Sequence, residues 1–494
     1  MANNLADRLG PYLAPPSLIS LAIVAVLTVV IKRRYFSPLS DIPGPFFASF
    51  TQLWQVVTTV QGDSLNVFYD LHQKYGPFVR VAPNEVSVSH PDAPKQLLLT
   101  ALRKSDWYRA GALPDYRFQT TLSTTDPKAK VARSRNFMQG YSTSSLLALE
   151  KYMDVPFGLL LGWMDKFSAT KEPMDLDKFF TFTAADITGE LLFSKSFGFT
   201  SEGYDIGHTL SRSHKIMGIG TVSGYYPWLN KLVANPFVTW SGVLPFKLIF
   251  TTAINAIAAR EKSSSDRHDI LTHWFKSLED GKVTLRDIQA QTTLGVVGGT
   301  DAMSTGLQSF VYHMIRHPDA WQRCRNEIAK EEAEGRCGDQ VISFADAQEL
   351  PYLQACIKES LRLFGPLGTG LPRVAGEGGT KLGDRVFPKG TILSIHPYTM
   401  MRDNTIWGDD AAEFNPERWL KEDTTAIDKF YMPFGLGYGT CPGINLAKIQ
   451  MSKMAASIVR NYNIRQVDPK QTWSYDAYFN TLPYDWPVYV EKVK

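Results

Sequence analysis

Apolar and polar positions change their rhythm several times along the chain. Residues 17–31 carry no charge, and Lys32-Arg33-Arg34 follow at once. From 144 to 333 the chain reads mostly as helix. Short alternating runs elsewhere read as strands. Phe78-Val79-Arg80-Val81-Ala82 and Glu85-Val86-Ser87-Val88-Ser89 flank Pro83-Asn84, while Arg385-Val386-Phe387 and Thr391-Ile392-Leu393-Ser394-Ile395 flank Pro388-Lys389-Gly390. The last stretch, 473–493, is aromatic and extended, and no internal repeat is visible. This alternation predicts one large domain, mainly α with small peripheral β-sheets.

The longest predicted helix covers 284–316. Thr284 and Asp287 have the spacing of a capping box, with Asp in place of the usual Glu or Gln. His317-Pro318 ends the run. At 1.5 Å per residue the helix is about 50 Å long, enough to cross a domain. Its middle reads Gly298-Gly299-Thr300-Asp301-Ala302-Met303-Ser304-Thr305. Each glycine costs a helix about 1 kcal/mol relative to Ala, so the pair is expected to serve close packing or an opened backbone. Ser304 and Thr305 follow Asp301 by three and four residues and share its face.

The apolar start predicts a membrane anchor. About 20 residues, 12–31, span about 30 Å as a helix, the thickness of the hydrocarbon core. A cleaved signal has its basic residues ahead of the apolar stretch, and here most of them follow it. The basic cluster places the body on the cytosolic side. Pro38 and Asp41-Ile42-Pro43-Gly44-Pro45 form a stiff turn after it. The expected organisation is an anchor and basic stop at 1–34, a Pro-rich hinge at 35–46, and a catalytic body at 47–494.

Composition narrows the function. The 494 residues are 44% hydrophobic and 20% charged, with a formal charge of only +3, and no basic block supports nucleic-acid binding. Four cysteines without paired spacing argue against a disulfide framework or a zinc site. Cys324, Cys337 and Cys356 read as small buried hydrophobes. Cys441 is different. It sits in Phe434-Gly435-Leu436-Gly437-Tyr438-Gly439-Thr440-Cys441-Pro442-Gly443, and a helical run to Arg460 follows. Glycines let such a loop wrap closely around a ligand. A helix N-terminus just past a cysteine favours the thiolate, a soft metal ligand.

The spacing of Phe434, Gly437, Cys441 and Gly443 resembles the haem-binding loop of the cytochrome P450 superfamily. Companions stand in the same order as in that family. Glu359-Ser360-Leu361-Arg362 lies on a predicted helix, and Pro416-Glu417-Arg418-Trp419 precedes the cysteine. The resemblance implies that Glu359, Arg362 and Arg418 form a buried charge network behind the haem. It implies that Arg373, in Leu371-Pro372-Arg373, reaches a haem propionate, and that Lys130 meets one as a point charge. The cofactor is then haem b, its iron held by the thiolate of Cys441. The implied fold is that of a cytochrome P450, from Pro43 to the end of the chain.

Two positions depart from the family pattern. Ala302 stands where the family has a threonine whose hydroxyl helps to deliver protons, which leaves Asp301, Ser304 and Thr305 as the catalytic candidates of the long helix. Gly439 stands where the family often has Arg or His, leaving more propionate charge to Arg373 and Lys130.

The resemblance, similar in style to fungal secondary-metabolism members, implies a monooxygenase acting on a lipophilic small molecule. It would use O2 and electrons from NADPH through a separate NADPH-cytochrome P450 reductase, at the endoplasmic reticulum membrane. Hydroxylation and oxidative coupling or ring closure both remain open. So do a reductase-independent haem enzyme that rearranges or dehydrates its substrate, and a non-catalytic haem protein that binds a ligand. By family position, substrate contacts are expected at 107–118, 225–229, Val297, Ala302, 367–370 and 479–482.

Overall fold

The structure, a computed structural model, describes residues 15–112, 115–241, 246–262 and 267–493. The helices that matter here are α1 (Pro15–Tyr35), α2 (Leu176–Phe193), α3 (Thr209–Gly224), α4 (Leu285–Met314), α5 (Pro351–Leu363) and α6 (Ile444–Asn461).

Helix α4 begins at the expected capping box. The Thr284 hydroxyl accepts from the Asp287 amide, and the Asp287 carboxylate accepts from the Thr284 amide. The helix runs through the core because its sequence is apolar or small on nearly every side. Helix α2, buried along almost its whole length, packs along it. The mid-helix glycines explain the close approach. A Cβ at Gly299 would come within 2.8 Å of Thr188 Oγ1 on α2. Phe180 of α2, Phe310 of α4 and Met454 of α6 meet in the same fully buried core. Each such side chain contributes about 1.5–3 kcal/mol by leaving water.

The sheets lie at the periphery, as the alternating runs predict. The two expected strands, β1 (Phe78–Ala82) and β2 (Glu85–Val88), pair as an antiparallel hairpin around Pro83-Asn84. With β3 (Leu371–Val374) and β4 (Ile392–Ile395) they make a four-stranded sheet in the order β1-β2-β4-β3. Strands β2 and β4 run parallel, and β3 and β4 antiparallel. Arg385–Phe387 does not pair across Pro388-Lys389-Gly390 with β4; its partner is Thr380–Leu382. The aromatic C-terminal stretch supplies Ser474–Ala477 paired with Thr481–Tyr484, and Val488–Lys492 paired with Tyr462–Gln466.

Helix α1 stands apart from this core. Leu18, Ile19, Leu21, Ile23, Val24, Val26 and Leu27 are all exposed. Its basic end is tied to the body: Arg33 Nη1 donates to the Phe50 carbonyl, and Arg80 Nη2 donates to the Arg33 carbonyl. Among the described residues no helix is long and apolar enough to cross a membrane. The expected span 12–31 begins outside the described residues.

Candidate active site

The Cys441 loop is shaped by its own backbone. Cys441 N–H donates to the Phe434 carbonyl at 2.8 Å and closes the loop. Gly437 has φ +62°, and a Cβ there would lie 2.2 Å from the Leu98 carbonyl oxygen, so only glycine fits. The cysteine presents its surface to a cavity deep inside the protein rather than to bulk solvent. Phe434 and Gly443 line the same cavity, and Gly295, Gly298, Gly299 and Ala302 of α4 line it too.

Electrostatics at the sulfur differ from the sequence expectation. Burial pushes the Cys441 thiol up, while a Gly443 backbone hydrogen bond and the Lys130 charge pull it down without prevailing. Desolvation of the anion outweighs the loop amides and the helix terminus. A thiolate at this depth needs a cation at the sulfur, and a coordinated metal ion supplies it.

Three buried basic side chains line the cavity: Lys104, Lys130 and Arg373. Among the described residues no Asp or Glu lines it with them. Burial lowers Lys104 well below the usual lysine range, and the nearby charges of Arg373 and Lys130 lower it further. Lys104 Nζ donates to the Leu122 carbonyl and lies 4.7 Å from the Tyr108 ring centroid. Arg373 Nη1 has only the Tyr108 hydroxyl at 3.3 Å and the Pro372 carbonyl, and its Nε has no partner. A Cβ at Gly439 would come within 2.8 Å of Arg373 Nη2, so the bare glycine leaves room for the guanidinium. Buried positive charge without a counter-ion is costly. An apolar, iron-bearing disc with two carboxylates answers both the cations and the sulfur. Haem fits this donor set.

Behind the loop the predicted network is assembled. Glu359, fully buried, accepts from Arg362 Nε and Nη2 at 2.8 Å each and from Arg418 Nε at 3.0 Å. Asn415 N and Trp419 Nε1 add two bonds at 2.9 Å. Arg362 also donates to the Met401, Ala411 and Glu413 carbonyls, and Arg418 to Asp410. The helix α5 and the segment before Cys441 are thereby locked together.

On α4 the three catalytic candidates do not converge on the cavity. Ser304 Oγ shares a bond with Thr181 of α2 and accepts from Gln308. Thr305 Oγ1 donates to the Asp301 and Thr481 carbonyls. Asp301 Oδ1 lies 3.1 Å from Nε2 of His214 on α3. Burial disfavours the His214 imidazolium, but Asp301, Asp205 and Asp476 outweigh it and raise its pKa above the ordinary value. Of this segment it is Ala302 and Met303 that face the cavity.

An apolar chamber adjoins the cysteine cavity, lined by Trp107, Ile216, Val297 and Phe479 among others. Trp107, Val297, Ala302, Leu367 and Phe479 were expected by family position; Leu113-Pro114, within the expected 107–118, lie outside the described residues. Trp107 is fixed. Its Nε1 donates to the Thr221 carbonyl, and Gly224 at the end of α3 is so close that a Cβ would lie 2.7 Å from its ring.

Sequence reasoning missed Lys104 and His214, while Tyr108, within the expected 107–118, lines both the cavity and the chamber. Lys104 stands in Leu102-Arg103-Lys104-Ser105-Asp106, which reads as a solvated charged loop. The bridge between Lys104 and Arg373, with the bonds from Ser105 N to Pro372 and from Lys104 N to Thr125, turns the chain inward there.

A profile of the family described as Cytochrome P450 matches residues 40–485. The cytochrome P450 monooxygenase gsfF of Penicillium aethiopicum is 29% identical over 94% of this chain and 96% of its own length. Pisatin demethylase of Fusarium vanettenii is 27% identical over 98% and 95%. The cytochrome P450 monooxygenase mpaDE of Penicillium roqueforti is 30% identical over 94% of this chain, which spans only 57% of that longer protein. Members of the family bind haem iron through a cysteine thiolate, the role for which the buried cations and the glycine-framed sulfur of this cavity are suited. The chain belongs to the cytochrome P450 family.

Proposed function

We propose that the protein is a membrane-associated haem-thiolate monooxygenase that oxidises a lipophilic small molecule in fungal secondary metabolism. The observation that carries this reading is one cysteine facing a cavity with three buried basic side chains and, among the described residues, no acid. Haem bound there supplies the redox-active iron at which dioxygen is activated. Cys441 Sγ holds the iron. Arg373, Lys104 and Lys130 neutralise the propionates, Phe434 and Gly443 shape the floor, and the Glu359, Arg362 and Arg418 network keeps the loop in place. Trp107, Val297 and Phe479 exclude water and orient an apolar substrate. Electrons come from NADPH through a separate reductase. The exposed apolar surface of α1, with Phe46 and Phe47 beside it, supports attachment to the endoplasmic reticulum membrane with the body in the cytosol.

Proton supply is where this chain differs. Ala302 offers no donor, and the Ser304 and Thr305 hydroxyls are committed elsewhere. Asp301 with His214 holds a proton on the side of α4 that faces α3, and water or a substrate hydroxyl completes the path. The same gap favours a second reading, a reductase-independent rearrangement or dehydration, which turnover without NADPH would distinguish. The primary test is spectroscopic. Cys441→Ser is expected to abolish the carbon-monoxide difference band of thiolate-ligated haem, and retention of that band refutes the assignment.

A further inference from the structure

A second pocket, of about 350 Å3, lies between the β2–β4 face of the sheet and the end of α3. It is polar where the substrate chamber is apolar. Glu85, the first residue of β2, lines it and is 8% exposed. Burial raises its carboxyl pKa to about 7, opposed only by a hydrogen bond from Gln55. Among the described residues no lysine or arginine pairs with it. Arg103, which lines the same pocket, is committed to Asp106. His396 does not serve as a cation either, since burial pushes it down to about 3. The buried hydroxyls Ser105 Oγ and Thr369 Oγ1 line the pocket and have no hydrogen-bond partner.

Three aromatic rings complete the walls: Phe68, Trp107 and Tyr225. A carboxylate without a counter-ion beside aromatic faces is complementary to an ammonium group, which gains from both. The pocket also abuts the apolar chamber. Trp107 lines both, and Leu367 lines the cysteine cavity while the next residue, Gly368, lines the polar pocket.

We propose that this pocket binds a protonated amine of the substrate, with Glu85 as counter-ion and Trp107, Tyr225 and Phe68 as aromatic walls. The substrate class is then a lipophilic compound bearing a basic nitrogen, its body in the apolar chamber. The inference rests on the reading of that chamber as the substrate site. Attraction grows as pH rises through about 7, because Glu85 then ionises. His396 and Tyr225, which line the same pocket, do not titrate in that window. His396 stays neutral, and Tyr225, raised by burial and further by the Glu85 charge, keeps its proton.

The test uses the full chain loaded with haem. The probes are a phenylalkyl-trimethylammonium ion, which neither titrates nor ligates iron, and its uncharged tert-butyl isostere. Calorimetric titration at about pH 8 is expected to show the ion binding roughly tenfold more tightly than the isostere. The preference shrinks at about pH 6, as Glu85 takes up a proton. Glu85→Gln removes the preference and leaves both the isostere's affinity and the carbon-monoxide band. The pH series on the unaltered chain reads the same group without mutation. Equal binding of the two probes, or a preference that survives Glu85→Gln, overturns the proposal. A chain that shows the preference but lacks the band supports the pocket and overturns only the enzymatic reading.

Discussion

Glu359 is the place where one substitution is expected to cost most. Its carboxylate takes five hydrogen bonds from four residues, three of them from two arginines that are themselves buried. Glu359→Gln keeps the shape of the side chain and removes the charge. It also turns one acceptor oxygen into an amide that points donors at guanidinium donors. The two arginines retain carbonyl partners, and Arg418 retains Asp410, so the loss is of one counter-ion rather than of the whole network. Breaking one partner of a buried ion pair costs about 3–5 kcal/mol. At about 2 °C per kcal/mol the melting temperature falls by roughly 6–10 °C. The assay is thermal denaturation of the haem-loaded chain followed by circular dichroism and, separately, by the haem absorbance. Haem is expected to leave at or before the loss of helix, because Pro416–Trp419 and the Cys441 loop share one stretch of chain. A Glu359→Gln protein that melts with the parent refutes the claim that this network holds the cysteine loop.

Three further outcomes follow from the site. Lys104→Leu should weaken haem retention roughly tenfold, about 1.4 kcal/mol, measured by transfer of haem to apomyoglobin; unchanged retention would mean that Lys104 faces no propionate. Ala302→Thr should lower the peroxide released per NADPH consumed, and an unchanged ratio would make the missing hydroxyl irrelevant. The His214–Asp301 pair should contribute on the order of 1 kcal/mol to stability. Because the folded pKa of His214 is raised above 6.5, that contribution is complete below pH 6.5 and disappears as pH rises through the raised value. The stability gap between the parent and His214→Gln should therefore narrow with rising pH, and a widening gap in urea titrations would contradict the pairing.

Much of this architecture was legible in the sequence because it is written locally. The capping box at Thr284 and Asp287, the stop at His317-Pro318 and the Gly-rich frame of Cys441 each depend on neighbours a few residues away. The charge network was legible as well, since Glu359 and Arg362 share one helical turn and Arg418 followed from family order. What the sequence concealed depends on non-local packing. Nothing near Lys104 indicates that its loop dives beneath Arg373, nor that Asp301 turns toward His214 on a helix 87 residues away. The pairing of Arg385–Phe387 with Thr380–Leu382 rather than β4 is similar, because β4 is already flanked by β2 and β3. The upward push of burial on the Cys441 thiol was hidden for the same reason. The helix terminus is visible in the sequence, but the depth of the sulfur is not.

The contact between Gly224 and Trp107 has a wider consequence. With no side chain at 224 to act as a spacer and the indole N–H pinned to Thr221, the end of α3 and the tryptophan behave as a single panel. Enlarging the substrate space by trimming Val297 or Phe479 moves a wall. Shifting α3 moves the wall and its neighbouring polar recess together. A lone substitution at 224 would therefore jam the panel instead of opening it, because any Cβ there meets the Trp107 ring.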